Sequence, residues 1–258
     1  MAKPDRQNAP SNATLTKSID ACIANGERLL DDTMMLEFEK PPASRLVLSM
    51  LAQEEFAKAF LLFLVRENVM GWSPYLLRAM NDHVCKQLIG TVIEYVSPRY
   101  DETYEQMVAR IREEVARGDH HLPLPVADAI SILRHEKIGR WEASSWDWAE
   151  PPDYDRTAMR VAKGSRDRIK QDALYVRLGR DGRVASTPFH VTGSLSDEEY
   201  ERAGNYRFFV KSLLNEGGHS SYEYKKILVF IAVLFARNEC ERGLSGGAGP
   251  TKSDPRGA

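Results

Sequence analysis

Glu54, Glu55 and Lys58 sit inside an otherwise apolar run, Leu46 to Val65 (LVLSMLAQEEFAKAFLLFLV), and are the first candidates for chemistry in this chain. A carboxylate in apolar surroundings must be met by a donor, because an unpaired buried charge is costly. Lys58 can satisfy Glu54 at i+4 or Glu55 at i+3, but not both fully. At least one carboxylate therefore needs a cation from a neighbouring helix or from a second subunit. His83 and Lys86, one helical turn apart, are candidates to complete such a polar site. An imidazole oriented by a carboxylate can act as a general acid or base. A buried ion-pair cluster that only fixes helix register is the competing reading of the same residues.

A second group of interest is basic. From Arg156 to Arg183 nine basic residues face three acidic ones, in a chain whose formal net charge is −2. Arg166, Arg168 and Lys170 with Tyr175 would suit an RNA backbone and a stacked base. The alternative is a solvated helix and hairpin whose arginines pair with acidic surface elsewhere. Arg134-His135-Glu136-Lys137 reads as a solvated helix face, since charge runs on amphipathic helices usually meet water. His120 and His121 have no carboxylate or cysteine at ligand spacing, so no metal site is expected.

The elements that must position these groups are nearly all helical. Leu15, Ile19, Cys22 and Ile23, Leu29 and Leu30, Met34 and Met35 trace one face of a first helix, which EKPPAS breaks. The central apolar helix follows, just after Ser44. Three charges near its middle exclude a bilayer span, where each would cost about 3 kcal/mol. Ser73-Pro74 provides an N-cap and first-turn proline for a third helix, expected to run to Ser97-Pro98. A fourth spans Tyr104 to Val115 and a fifth runs from Pro125 to Trp141.

Trp146 and Trp148 beside prolines mark a long loop stapled to the core, and a helix from Asp155 to Asp172 leads to a hairpin turning at Asp181-Gly182. Ser196 and Glu199 read as a capping box for a helix to about residue 216, with a last helix at roughly 221–240. The expected organisation is a flexible start to residue 12, one helical domain over 13–242 with a loop and hairpin region at about 142–195, and a loose tail over 243–258.

With 258 residues, 43% of them hydrophobic, the chain can bury a core unaided. Cys22, Cys85 and Cys240 are odd in number and widely spaced, which reads as reduced, cytoplasmic thiols. The start lacks the apolar segment of a secretory signal, and the run at 227–235 is too short to span a bilayer, so no membrane partner is expected. There is no P-loop, no Rossmann glycine set, no H-E-x-x-H and no nucleophile elbow, and no cofactor is expected.

Three ordered blocks, LLDDTMMLEFEKPPASRLVLSMLAQEEFAKAFLL, His83-Val-Cys-Lys86 and IKQDALYVRLGRDGRVASTP, resemble the AbiV-type abortive-infection proteins, a branch of the HEPN-like helical superfamily. The resemblance covers about residues 25–215. It implies an antiphage defence effector built as an all-α HEPN-like bundle with a small β-hairpin insertion, commonly homodimeric, with polar groups gathered in a cleft. Many HEPN proteins are metal-independent ribonucleases whose signature is Arg, four to six residues, then His. Arg78-Ala-Met-Asn-Asp-His83 matches it, and Arg183 to His190 is a second match.

In the first match His83 would be the acid/base group and Arg78 would stabilise charge on the phosphate, with Glu54, Glu55, Lys58 and Lys86 ordering the site. Positions five apart on a straight helix point about 140° away from one another, so Arg78 and His83 need a bend or a two-fold interface to meet. The rival expectation is a non-catalytic module that blocks a phage or host protein, or RNA, by contact alone.

Overall fold

Helical periodicity governs the described residues, which in this computed structural model are 9–97, 106, 109, 124–143 and 153–214. In chain order they form α1 (Asn12–Met34), α2 (Ala43–Arg66), α3 (Pro74–Asn81), α4 (His83–Val96), α5 (Leu124–Ser131), a π-helical stretch (Ile132–Gly139) and α6 (Arg140–Ala143). Then come α7 (Arg156–Ala162), α8 (Ser165–Leu174), strands β1 (Arg177–Leu178) and β2 (Val184–Ser186), a 3-10 turn (Pro188–His190) and α9 (Gly193–Leu214). The fold is an all-α bundle carrying one small antiparallel hairpin.

A helix apolar on every side has no face to offer water, so α2 takes the centre of the bundle and α1, α4, α8 and α9 pack around it. Phe56, Phe60, Leu61 and Leu64 are completely buried, each stabilising the fold by about 1.5–3 kcal/mol through burial alone. The connection after α1 folds the chain back so that Gly26 lies directly against Phe56. A Cβ at Gly26 would fall 2.7 Å from the Phe56 ring.

Phe56 is locked in the core and cannot give way. Gly26→Ala should therefore cost about 1–3 kcal/mol from overpacking, more than the ~1 kcal/mol of helix propensity that alanine gains. An unchanged urea midpoint would contradict that close approach.

Local signals account for most helix starts. Ser11 caps α1 by accepting from Thr14 N at 3.2 Å. Ser73 caps α3 by accepting from Leu76 N at 3.0 Å, with Pro74 in the first turn. The hairpin turns at Gly182, whose φ of 76° is a left-handed value that glycine tolerates without strain.

Several expectations are corrected. The third helix does not run unbroken from 73 to 97: Asp82 is extended (φ −88°, ψ 126°), and its carboxylate caps a new helix by accepting from Cys85 N at 2.9 Å. A short acidic side chain that bonds the backbone ahead of it competes with helix continuation, and here it wins. The expected helix from Asp155 to Asp172 is likewise two helices, split at Gly164 (φ 75°).

Ser196 and Glu199 form no capping box. The last described helix begins at Gly193, where Thr192 Oγ1 accepts from Leu195 N at 3.3 Å, and both Ser196 and Glu199 are buried further along it. Met34 and Met35 are exposed, and Thr33 takes the last buried position of α1. Ser44 lies within α2. The Arg134 to Lys137 run is partly buried within the π-helical stretch. Of the expected fourth helix only residues 106 and 109 are described, both helical, while His120 and His121, the Trp146 and Trp148 loop, the 227–235 run, the 221–240 helix, Cys240 and the tail lie outside the described residues.

Candidate functional site

The break at Asp82 makes His83 the first residue of α4 and turns its ring toward α2. There Glu54 is 4% exposed in its side chain, against 50% for His83. His83 Nδ1 lies 2.6 Å from Glu54 Oε2, and Lys86 Nζ is 2.9 Å from the same oxygen. Lys170 Nζ of α8 donates to Glu54 Oε1 at 2.7 Å, and Gln87 Nε2 reaches that oxygen at 3.5 Å. The carboxylate oxygens thus accept from four side chains on two neighbouring helices, about their full capacity.

Lys170 Nζ also stands 3.1 Å from His83 Nδ1. A carboxylate only accepts and an ammonium only donates, so the shorter contact decides the tautomer: Nδ1–H donates to Glu54. His83 Nε2 then has no partner among the described residues and belongs to the half-exposed part of the ring.

Burial pushes the Glu54 carboxyl up, but the Lys86 charge and the hydrogen bonds from Lys170 and Lys86 outweigh it and hold the group at about 2, below its ordinary 4.5. Glu55 and Lys58 do not join this centre. They pair with each other at 2.8 Å beside Cys22, whose thiol burial pushes up to about 11.

A second buried carboxylate lies next door. Glu199 of α9 accepts from Arg166 Nη2 at 2.6 Å, from Gln53 Nε2 at 2.8 Å and from Arg202 Nη1. Gln53 Oε1 accepts from Arg166 Nη2 at 2.8 Å. Burial pushes Glu199 up, and Arg166 and Arg202 more than offset it, so its carboxyl lies below the usual range. A cavity of about 10 Å³, lined by Gln53, Glu54, Lys86, Gln87, Arg166 and Tyr206 among others, joins the two centres. Gln53 and Glu54 are adjacent on α2 while Arg166 and Lys170 are one turn apart on α8, so a single helix face clamps both carboxylates.

Folding therefore holds two carboxyls below their unfolded values, and the sign of the pH effect follows. Their contribution is present above the unfolded carboxyl range near 4.5 and is lost as pH falls below it, for Glu54 on approach to about 2. For Glu54 the loss should be on the order of 3 kcal/mol. Urea midpoints measured down that range should fall, and Glu54→Gln should flatten the fall. A wild-type midpoint independent of pH there would refute the ionised pair.

The family model HEPN_AbiV, described as AbiV, matches residues 14–206. The chain belongs to the AbiV family of HEPN proteins. No curated protein and no solved structure matches it. In this AbiV-family chain the matched span takes in every residue of both carboxylate centres, from Gln53 to Tyr206. Among the described residues no group of His, Cys, Asp and Glu comes together to hold a metal, and no helix is long and apolar enough to cross a membrane.

Of the residues expected at the site, Glu54, His83 and Lys86 converge. Arg78 does not join them: it lies on α3, beyond the Asp82 break, with its guanidinium 4.3 Å from the centroid of the Trp141 ring. Arg166 and Lys170, expected as RNA contacts, pair instead with the buried carboxylates of Glu199 and Glu54. A cation that neutralises a buried carboxylate is withheld from solvent phosphate. Arg168 and Tyr175 are exposed. Glu199 was missed because its spacing from Ser196 imitates a cap. The usable signal was the i,i+4 pair Arg166 and Lys170 on a helix that also buries Ala173.

Proposed function

We propose that this AbiV-family chain is an abortive-infection effector that cuts RNA without a metal ion, with His83 as the acid/base group. The observation that carries this reading is the 2.6 Å contact between His83 Nδ1 and Glu54 Oε2 on a half-exposed ring. Glu54 fixes the tautomer that leaves Nε2 as a base facing outward. Nε2 takes the proton of a ribose 2′-OH as its oxygen attacks the neighbouring phosphorus. The bond from phosphorus to the 5′-oxygen breaks and that oxygen takes a proton from solvent water, giving a cyclic 2′,3′-phosphate and a 5′-hydroxyl, while the proton on Nε2 returns to solvent. Lys86 and Lys170 hold Glu54 ionised and in place, so they are positioning residues. The free, buried thiols of Cys22 and Cys85 fit a reducing cytoplasm.

Purified protein incubated with total RNA and with tRNA tests the reading. Cleavage and phage protection should both disappear in His83→Ala while helical circular dichroism stays unchanged. Protection retained by His83→Ala with RNA left intact would mark a chain that acts by contact alone, and the reading would fall.

A further inference from the structure

The basic segment from Arg156 to Arg183 divides by partner, and besides the residues of α7 only Arg168 and Arg180 are exposed without an ion pair among the described residues. Arg166, Lys170, Arg177 and Arg183 are each matched to a carboxylate, those of Glu199, Glu54, Asp172 and Asp181. Arg156, Arg160 and Lys163 are exposed, and none of them forms an ion pair among the described residues. They stand at i, i+4 and i+7 along α7, within about 60° of one another around its axis and over about 10 Å of its length. Ala158 and Val161 fill the opposite, buried side. The three cations form a single ridge.

That ridge ends at a corner packed against Val84, the residue that follows His83. Lys163 is the C-cap of α7, and Gly164 turns the chain into α8 with a left-handed φ of 75°. A Cβ at Gly164 would lie 3.9 Å from Val84 Cγ2, so this corner rests on the residue that follows His83. We infer that the α7 ridge is the phosphate track of the site, carrying single-stranded RNA toward His83 Nε2. Its chemistry suits a chain whose negative charge repeats along its length. An acidic protein surface would dock with apolar anchors as well, and the one apolar residue on the cation-bearing side of α7, Met159, is packed against the core. The inference rests on the RNA-cutting reading and adds to it where the strand runs.

Fluorescence anisotropy of a fluorescein-labelled oligouridylate tests it, read in full-length protein in the His83→Ala background so that the probe stays intact. Adding Arg156→Ala, Arg160→Ala and Lys163→Ala together should weaken binding at least tenfold at low salt. The slope of log affinity against log salt should fall by about 2, the share of three phosphate contacts on a single strand. Arg180→Ala with Arg183→Ala, which removes hairpin charge instead, should leave binding unchanged. All substitutions are on exposed positions, and an unaltered urea midpoint confirms that each variant is folded.

Equal binding by the ridge variant, equal weakening by the hairpin variant, or no binding of the probe at all overturns the inference. So does a ridge that captures labelled polyglutamate in preference to the oligouridylate, which would assign it to an acidic protein. A ridge that binds RNA in a chain that cuts none would leave the track standing and remove the nuclease.

Discussion

Glu54→Leu should destabilise the protein by about 3–5 kcal/mol, the loss expected when one member of a buried ionic cluster is removed. The variant leaves Lys86 and Lys170, both 7% exposed in their side chains, without the carboxylate that neutralises them. Neither can be abandoned cheaply inside a bundle whose α2 neighbours are Phe56, Ala57 and Phe60. Lys170 retains Asp167 at 3.1 Å, whereas no other ion pair of Lys86 is found among the described residues.

Replacing the whole cluster separates charge from packing. Glu54→Leu with Lys86→Met and Lys170→Met removes both stranded ammonium charges at similar volume, leaves Asp167 about a quarter exposed to water, and should recover the midpoint to within about 1–2 kcal/mol of wild type. Urea denaturation of the single and triple variants gives both numbers. A loss below about 1 kcal/mol for Glu54→Leu would mean that the lysines simply swing into water and that the centre holds nothing together.

The sequence made this centre legible for a physical reason: charge inside an apolar helix is expensive, so Glu54 announces its need for donors without any knowledge of the fold. Ser73-Pro74 and Asp181-Gly182 were readable in the same way, because caps and turns are decided by backbone chemistry within a few residues. What the sequence concealed were contests settled by tertiary contact. Asp82 was equally compatible with helix continuation and with a cap, and the cap wins where it lets His83 meet Glu54.

Arg166 and Lys170 read as solvated because a charge run carries no sign of carboxylates that lie 33 and 116 residues away in sequence, those of Glu199 and Glu54. Glu199 carried a false local signal, its spacing from Ser196, that hid a long-range role. The Arg78 to His83 spacing misled in the opposite sense, since residues close in sequence were parted by the helix break and Arg78 was taken up by Trp141.

His83→Ala should lower RNA cleavage by about 10²–10⁴-fold, the range over which a positioned acid/base group usually contributes. Removing the ring should do little to the fold, since Glu54 keeps Lys86 and Lys170 and the lost side chain is half exposed. Arg78→Ala provides the decisive contrast. If cleavage depends on the Glu54 and His83 pair alone, Arg78→Ala stays within a few-fold of wild type in rate and loses only about 0.5–1 kcal/mol of stability, the worth of its stacking on Trp141. Rates with a defined RNA under single-turnover conditions distinguish chemistry from binding. A loss in Arg78→Ala as deep as that in His83→Ala would show that the guanidinium leaves Trp141 to reach the phosphate when RNA binds. The catalytic pair would then be one that assembles on the substrate.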